Sequence, residues 1–194
     1  EQPGAREDLR GTFILTIDPA TARDFDDALS LETDEQGRRV LGVHIADVSH
    51  FVPSGSMLDR EARKRGTSVY LVDQVLPMLP EQLSNGVCSL RPDEDRLAFS
   101  AFLTLSASGT VIARRFCKSI IRSSLRLAYE EAMAVLDGRE PESGIQVPEE
   151  ARHLIREANR LARQFRAARF RRSALDLAVP ETQVLLDAEG RMTG

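Results

Sequence analysis

Four carboxylates lie within ten residues near the start of this chain, directly after the apolar run 13–17. They are Asp18, Asp24, Asp26 and Asp27. Like charges this close repel one another, and removing them from water is costly unless a cation or a proton compensates. Oxygen ligands suit a hard divalent ion such as Mg²⁺, and the absence of Cys and His from the cluster disfavours zinc. The alternative is a plain acidic loop between two strands, and the cluster alone does not separate these interpretations.

The overall composition is that of an ordinary globular protein. The 194 residues are 42% hydrophobic and 29% charged, which is enough for one sizeable domain. The net charge of -4 and the 5% of aromatic residues do not by themselves predict nucleic-acid binding. No apolar run approaches a membrane span and no signal peptide is recognisable, so we expect a cytoplasmic protein without membrane contact. Cys88 and Cys117 lack metal-ligand spacing and are expected to be reduced thiols.

Strands are predicted on both sides of the acidic cluster, because apolar residues alternate there between turn signals. The carboxylates should therefore lie near a strand end. If extended geometry continues into the cluster, Asp26 and Asp27 point to opposite faces and Asp24 shares the face of Asp26. The predicted strands are 12–17, 27–32, 39–46, 67–72, 97–106, 110–121 and 182–186, and the predicted helical segments are 54–65, a turn from Pro80, 126–136 and 149–172.

The longest predicted helix, 149–172, combines an apolar stripe with a basic surface. It carries eight arginines against three acidic residues. A solvated helix face is the commoner explanation for such a charge run, and a surface that follows a phosphate backbone is the functional one. The residues that recur at helical spacing and should be buried are Leu154, Ala158, Leu161, Phe165 and Ala168.

Several longer segments occur in a fixed order: Asp8–Arg10, Thr16–Asp18, Ala22–Ala28, Val43–Ser49, Pro77–Pro80 and Leu83–Leu90. Together they resemble the ribonuclease II / ribonuclease R family, within its catalytic RNB domain. The resemblance implies an α/β (mixed α+β) fold with a mostly antiparallel sheet and packed helices. It assigns 11–194 to the N-terminal portion of that domain. Residues 1–10 are expected to be a linker, and both chain ends to be cut edges of a longer protein.

The resemblance implies a Mg²⁺-dependent 3′→5′ exoribonuclease that hydrolyses single-stranded RNA processively to nucleoside 5′-monophosphates. Asp18, Asp24, Asp26 and Asp27 match the family's metal-binding aspartates, with Asp24 and Asp26 as catalytic residues and Asp26 as the most critical. Metal ions held there would bridge the scissile phosphate and lower the pKa of an attacking water. Tyr70 matches a family tyrosine that packs on the 3′-terminal nucleotide, for which the alternative is a half-buried strand tyrosine.

Other family features are expected to lie outside this chain. In the family, the second half of the domain supplies a glutamate and arginines. Without that positive charge, the phosphoryl-transfer activity of the chain alone should be severely weakened. Leu177 stands where the family has a second aromatic contact. Two alternative functions stand beside the enzyme. One is a catalytically inactive RNA-binding or regulatory module of the same fold, and the other is a metal-binding structural domain. His44, His50 and Asp47 are expected to have structural roles, and the full-length protein to be a monomer.

Overall fold

The computed structural model describes residues 6–71, 74–175 and 187. Its strands are β1 (Glu7–Asp8), β2 (Leu15–Asp18), β3 (Asp27–Thr33), β4 (Arg39–Ala46), β5 (Val69–Tyr70), β6 (Val75–Leu76), β7 (Asp95–Leu105), β8 (Val111–Arg122) and β9 (Leu125–Ala128). Its helices are α1 (Val48–Phe51), α2 (Met57–Arg65), α3 (Tyr129–Leu136) and α4 (Glu149–Phe170), and a π-helical turn spans Gln82–Val87. None of the described helices combines the length and the apolar character needed to cross a membrane.

A seven-stranded sheet in the order β1-β8-β7-β4-β3-β2-β9 forms the centre of the fold, and β5 pairs with β6 in a separate two-stranded sheet. The pairs from β8 to β2 are antiparallel, whereas β1 and β9 add parallel pairs at the two edges. This architecture confirms the expected mixed fold with a mostly antiparallel sheet.

Hairpins join the predicted strands 27–32 and 39–46, and 97–106 and 110–121, because each turn contains the residues that its geometry requires. Between β3 and β4, the Asp34 carboxylate accepts hydrogen bonds from the backbone N–H groups of Gln36 and Arg38, at 3.0 and 2.9 Å. Gly37 has a φ of 74° there, and Gly109 has a φ of 80° between β7 and β8. Glycine adopts such positive φ values without the steric cost that a Cβ imposes.

One face of the sheet is covered by α3 and α4. The predicted apolar stripe of α4 is confirmed in its main part, since Leu154 and Leu161 are buried and Ala158 and Phe165 pack beside them. The helix crosses from β9 and β2 toward the β7–β8 hairpin, where the Gln164 side chain lies against the hairpin glycine. The buried partners on the sheet and on α3 are Leu15, Leu41, Leu105, Leu127 and Val135.

The opposite face is covered near one end of the sheet by two irregular segments rather than by a long helix. Phe25 and Leu90 from these segments pack against Ala28, Ala98 and Phe102 of the sheet. Each fully buried large apolar side chain contributes about 1.5–3 kcal/mol relative to leaving it in water. The two segments are therefore integral parts of the core, although they lack regular secondary structure over much of their length.

Tertiary pairing corrects several predicted boundaries. Residues 125–128 form β9 rather than the start of a helix, because they pair in parallel with β2, and α3 begins only at Tyr129. The predicted helix 54–65 begins at Met57, with the Ser56 hydroxyl accepting a hydrogen bond from the Asp59 N–H. The short helix α1 was not predicted. The predicted strand 182–186 lies outside the described residues.

Residues 6–10 are part of the domain and not a linker. Glu7 and Asp8 pair with Ser119 and Ile120 of β8. Arg6 Nη2 donates a hydrogen bond to Asp47 Oδ2 at 2.6 Å, and the side chains of this ion pair are 10% and 3% exposed. Loss of either partner of such a buried pair would strongly lower the free energy of unfolding, because the other charge would remain uncompensated.

A buried chain of polar side chains crosses the centre of the sheet. His44 Nε2 lies 3.0 Å from Ser30 Oγ, and His44 Nδ1 lies 2.7 Å from Ser100 Oγ, which is itself 2.6 Å from Ser119 Oγ. All four side chains are buried. The expectation that His44 is a hydrogen-bonded core residue is therefore confirmed.

The burial of His44 predicts a pH dependence of stability. Burial lowers the pKa of His44 to about 4, below the value of ~6.5 of an unfolded chain. The folded state then binds fewer protons between these values, so acidification from about pH 6.5 to about pH 4 should reduce the free energy of unfolding by up to ~3 kcal/mol. The stabilisation is fully present above pH 6.5.

Urea denaturation at several pH values measures this effect as the slope of the free energy of unfolding against pH. The His44→Asn variant should lose this positive contribution to the slope, and exposed His153→Asn is the matched control. Asp18 contributes with the opposite sign because its pKa is raised to about 6, so the informative quantity is the difference between variant and parent. Equal slopes for parent and His44→Asn would contradict the assignment.

Candidate active site

The acidic loop, residues 18–27, connects two neighbouring strands at one end of the sheet. β2 ends at Asp18 and the antiparallel β3 begins at Asp27, so the chain returns to the same end. Asp24 and Asp26 lie in the connection itself. Strand geometry does not extend to them, so the condition for a shared strand face is not met. The four carboxylates are instead brought together by the shape of the loop.

The loop forms one wall of a pocket of about 740 Å³. All five site residues predicted from the sequence line this pocket, the four aspartates from the acidic loop and Tyr70 from β5. The facing wall comes from the segment that carries β5, β6 and the π-helical turn. Its lining residues include Ser68, Gln74, Pro77, Glu81, Ser84 and Asn85.

Asp18 is the buried member of the acidic set, with 8% of its surface exposed. Burial, reinforced by the negative charge of Asp27, raises the pKa of Asp18 to about 6. Its Oδ2 atom is buried without a partner of good hydrogen-bonding geometry, although the nearby Thr16 hydroxyl partly offsets the rise in the Asp18 pKa. Leaving a buried acceptor unsatisfied costs about 1–3 kcal/mol. The environment of Asp18 therefore favours a positive charge beside its free oxygen.

Asp26 faces the pocket and experiences a similar field. Partial removal of its carboxylate from water, together with the negative charges of Asp24 and Asp27, raises the pKa of Asp26. Mutual repulsion of this type disfavours the fully ionised state unless a cation is bound between the carboxylates. The loop thus concentrates negative charge where solvent and a substrate have access.

The residues fit a hard divalent cation that keeps part of its water shell. Within the described part of the chain, no group of three or more Asp, Glu, His or Cys side chains is placed to hold a metal ion by itself. Mg²⁺ does not need one, because it typically binds one or two carboxylates together with waters and substrate phosphates. The free oxygen of Asp18 and the accessible carboxylates match that preference, and neither Cys nor His is among the residues that line the pocket.

Tyr70 faces the acidic loop across the pocket. Its side chain is 67% exposed, so the alternative of a half-buried strand tyrosine is wrong. The Tyr70 hydroxyl donates a hydrogen bond to Asp24 Oδ2 at 3.3 Å. The negative charge of Asp24 raises the pKa of the Tyr70 hydroxyl, which keeps it protonated as a donor. An exposed ring at the mouth of a pocket can stack on a base of any identity.

The backbone of the acidic loop is anchored by Ser89, whose importance was not predicted. The buried Ser89 hydroxyl donates to the Arg23 carbonyl at 2.8 Å and accepts from the Phe25 N–H at 3.0 Å. These two bonds hold the peptide units on both sides of Asp24. The Leu90 N–H also donates to the Phe25 carbonyl, at 2.8 Å. Only the position of Ser89 within the segment Leu83–Leu90 gave a sequence signal.

The other end of the loop is held by Arg126 on β9. Arg126 Nη2 donates to the carbonyl oxygens of Pro19 and Ala20, at 2.9 and 3.1 Å, and its guanidinium lies over the Phe25 ring at 5.4 Å. The sequence contains no local signal for this contact. Its pattern predicts a helix over 126–136, whereas Arg126 lies on β9 beside β2. Its positive charge also partly offsets the rise in the Asp18 pKa.

The remaining predicted residues have structural surroundings. Asp47 accepts hydrogen bonds from Arg6 and from the Ser49 hydroxyl, which confirms its expected role in satisfying nearby donors. Cys88 and Cys117 are free thiols, as expected. Leu177 lies outside the described residues.

Comparison with known proteins identifies the family. The RNB domain model matches residues 6–194. The chain belongs to the RNB domain family. Ribonuclease R of Thermotoga maritima is 47% identical over 188 residues, covering 96% of this chain and 26% of the relative. The solved structure of Mycoplasma genitalium RNase R with ribose-methylated single-stranded RNA superposes with a TM-score of 0.88 at 32% identity, covering 97% of this chain and 29% of that one.

A second type of neighbour is yeast Ssd1, described as a pseudonuclease, with a TM-score of 0.72 and 25% identity over 86% of this chain and 20% of that one. The RNB fold is therefore found both in a ribonuclease and in a pseudonuclease. This chain spans roughly a quarter of the length of the relatives that it matches.

The anchoring by Ser89 predicts a specific defect in metal affinity. Ser89→Ala leaves the buried Phe25 N–H unpaired, which should lower the free energy of unfolding by about 1–3 kcal/mol. Because the peptide units around Asp24 lose their anchor, the affinity for Mg²⁺ should fall by about 10- to 100-fold, as for other residues that orient metal ligands. Calorimetric titration with Mg²⁺ measures the second effect.

Ser123→Ala is the matched control for Ser89→Ala. Ser123 is also buried, but its hydroxyl donates to the Ile14 and Leu125 carbonyls rather than to the acidic loop. This variant should be destabilised while its Mg²⁺ affinity stays at the parent value. If Ser89→Ala binds Mg²⁺ as tightly as Ser123→Ala does, Ser89 has no positioning role.

Proposed function

We propose that this chain forms the metal-binding side of a 3′→5′ exoribonuclease active site that hydrolyses single-stranded RNA to nucleoside 5′-monophosphates. The observation that carries the proposal is the convergence of Asp18, Asp24, Asp26, Asp27 and Tyr70 on one open pocket. Mycoplasma genitalium RNase R, whose structure was solved with single-stranded RNA, has the same fold over this region. A cytoplasmic location and a monomeric parent protein stay predictions.

The aspartates would hold Mg²⁺ at the end of the sheet where β2 ends and β3 begins. When bound, the metal would supply a Lewis acid that activates water and stabilises the charge developing on the phosphate. Asp18, with its free buried oxygen, is suited to permanent coordination, and the accessible Asp26 is suited to a position beside the scissile phosphate. The reaction adds a water oxygen to phosphorus and breaks the bond from phosphorus to the 3′-oxygen of the preceding nucleotide.

Tyr70 would position the terminal nucleotide. The exposed ring provides a stacking surface that does not depend on base identity, which an enzyme that degrades all sequences requires. Its hydroxyl binds Asp24 and thereby ties the stacking surface to the acidic loop. The base and the scissile phosphate would then be held at a fixed separation, which is the main contribution that positioning makes to a phosphoryl-transfer reaction.

Arg23 is the cation among the residues that line the pocket, in the part of the chain that the structure describes. Preorganised positive charge usually contributes more than any other effect to the stabilisation of a phosphoryl transition state. We therefore expect weak activity from the chain alone and full activity only in the longer parent protein, whose relatives are about four times as long.

An exonuclease assay tests the proposed function. RNA labelled at its 5′ end should be shortened in single-nucleotide steps with Mg²⁺ and should persist with EDTA. Asp26→Asn, which keeps the shape and removes the charge, should reduce the rate by about a hundredfold or more, as expected for loss of one preorganised electrostatic partner. Denaturing gel electrophoresis resolves the products.

The controls separate the rival functions. Glu81→Gln removes a carboxylate from the facing wall of the same pocket and should reduce the rate much less than Asp26→Asn does. RNA binding without any shortening, in this chain and in the parent protein, would favour the inactive RNA-binding module that the likeness to a pseudonuclease suggests. Absence of both binding and shortening would contradict both functions.

A further inference from the structure

The arginines of α4 divide into two groups with different surroundings. In the first half, Arg152 pairs with Glu140 at 2.6 Å, and Arg156 pairs with Glu149 at 3.3 Å. Arg160 continues this pattern by pairing with Glu157 at 2.5 Å. The first half of the basic surface is thus neutralised by acidic partners, as expected for a solvated helix face.

The second half of the basic surface contains four arginines for which the described part of the chain supplies no acidic partner. The sequence contains no Asp or Glu from 158 to 175. Within the described residues, four guanidinium groups form no ion pair, and all four side chains are exposed. These four residues, which we call the basic end of α4, are Arg163, Arg169, Arg171 and Arg172. Arg166 lies among them, with its guanidinium 5.2 Å from the centre of the Phe170 ring.

Helix stability does not account for this arrangement. Cations are favourable near a helix C-terminus, but the effect is confined to the last turn and so explains Arg169 alone. Arg169 and Arg172, which are three residues apart, instead repel one another. The repulsion is relieved when an anion binds between them, and a guanidinium fork matches a phosphate in a bidentate geometry.

The basic end of α4 and the acidic pocket lie toward opposite ends of the sheet. Asp27 pairs with Ile45, whereas Arg39, at the other end of β4, pairs with Leu105 beside the β7–β8 hairpin. Six residues of β4 span on the order of 20 Å. α4 reaches the hairpin at Gln164, and its last turns follow from there. The basic end is therefore separate from the metal-binding carboxylates.

We propose that the basic end of α4 binds the phosphate backbone of RNA upstream of the 3′ end held in the acidic pocket. The proposal rests on the proposed function, because the pocket supplies the first contact. Once the 3′ end is bound, upstream phosphates are present at high effective concentration, so a modest second contact raises the affinity without base recognition. At ~3.4 Å per nucleotide along a strand, the ~20 Å of β4 alone corresponds to about six nucleotides, and the last turns of α4 add to this span. Only RNA longer than this reaches both contacts.

Binding measurements with short and long RNA test the proposal. All proteins carry Asp26→Asn so that the RNA persists, and fluorescence anisotropy reports the Kd for labelled single strands of about four and about twenty nucleotides at several salt concentrations. The test variant is Arg163→Gln with Arg169→Gln and Arg172→Gln. The matched control is Arg139→Gln with Arg156→Gln and Arg160→Gln, which removes the same charge from arginines that have acidic partners.

The test variant should raise the Kd for the long RNA about tenfold at low salt and reduce the salt slope of log Kd by about 2, since each phosphate contact on a single strand contributes ~0.7. The Kd for the short RNA should stay unchanged, and the control should resemble the parent. Replacing the same three arginines by lysine should restore most of the affinity, because the charge is kept. Far-UV circular dichroism verifies that α4 is intact in each variant.

Two results would overturn the proposal: an unchanged Kd and salt slope for the long RNA, or an equal loss in test and control variants. If the test variant instead loses affinity for polyglutamate while RNA binding is unchanged, the surface binds an acidic protein and the proposal is also wrong. Failure of the proposed function has a different signature. In that case RNA is never shortened when Asp26 is present, whatever the basic end contributes to binding.

Discussion

The fold at the acidic end of the sheet depends on holding four carboxylates together against their mutual repulsion. The carboxylates themselves cannot provide this, since each ionised neighbour raises the free energy of the next. The loop is held instead by its backbone. Ser89 bonds to the peptide units on both sides of Asp24, the Ala46 N–H donates to the Asp26 carbonyl, and Arg126 donates to two carbonyl groups at the start of the loop.

Because the backbone and not the carboxylates holds the loop, the carboxylate side chains stay available for ligands. If the carboxylates were used to fix the loop, their oxygens would be occupied by protein donors. Asp18 keeps a buried oxygen without a well-formed hydrogen bond, and the accessible Asp26 keeps its carboxylate toward the pocket. The cost of that arrangement is offset by the burial of Phe25 and Leu90, whose side chains lock the loop and its supporting segment into the core.

Charge is also separated along the domain. The negative pole lies where β2 ends and β3 begins, and the basic end of α4 lies toward the β7–β8 hairpin. Arg39, Arg152, Arg156 and Arg160 form ion pairs between these poles. The net charge of -4 does not reveal either pole. A polyanion with one end anchored through a metal and the rest attracted to arginine is compatible with both, whereas a uniformly acidic surface would repel it.

Much of the fold could be predicted, because the signals were local. The hairpins around Gly37 and Gly109, the apolar stripe of α4 and the strands next to the acidic loop follow from turn chemistry and from periods of two and 3.6 residues. The prediction was wrong where a distant partner decides the structure. Residues 7–8 are a strand only because β8 offers a free edge, and residues 125–128 are a strand only because β2 lies beside them.

For the site, the sequence by itself determined which side chains are the candidates for the chemistry: the carboxylates, the tyrosine and the arginines, in motifs typical of one family. Only the tertiary structure decided what each of them faces. It placed Tyr70 opposite Asp24, buried one oxygen of Asp18 and made Ser89 the anchor of the loop. Among the described residues, it gave no acidic partner to Arg163, Arg169, Arg171 and Arg172. The physical reason is that charge compensation and hydrogen bonding depend on distance in space, which residues far apart in the chain acquire only when the sheet assembles.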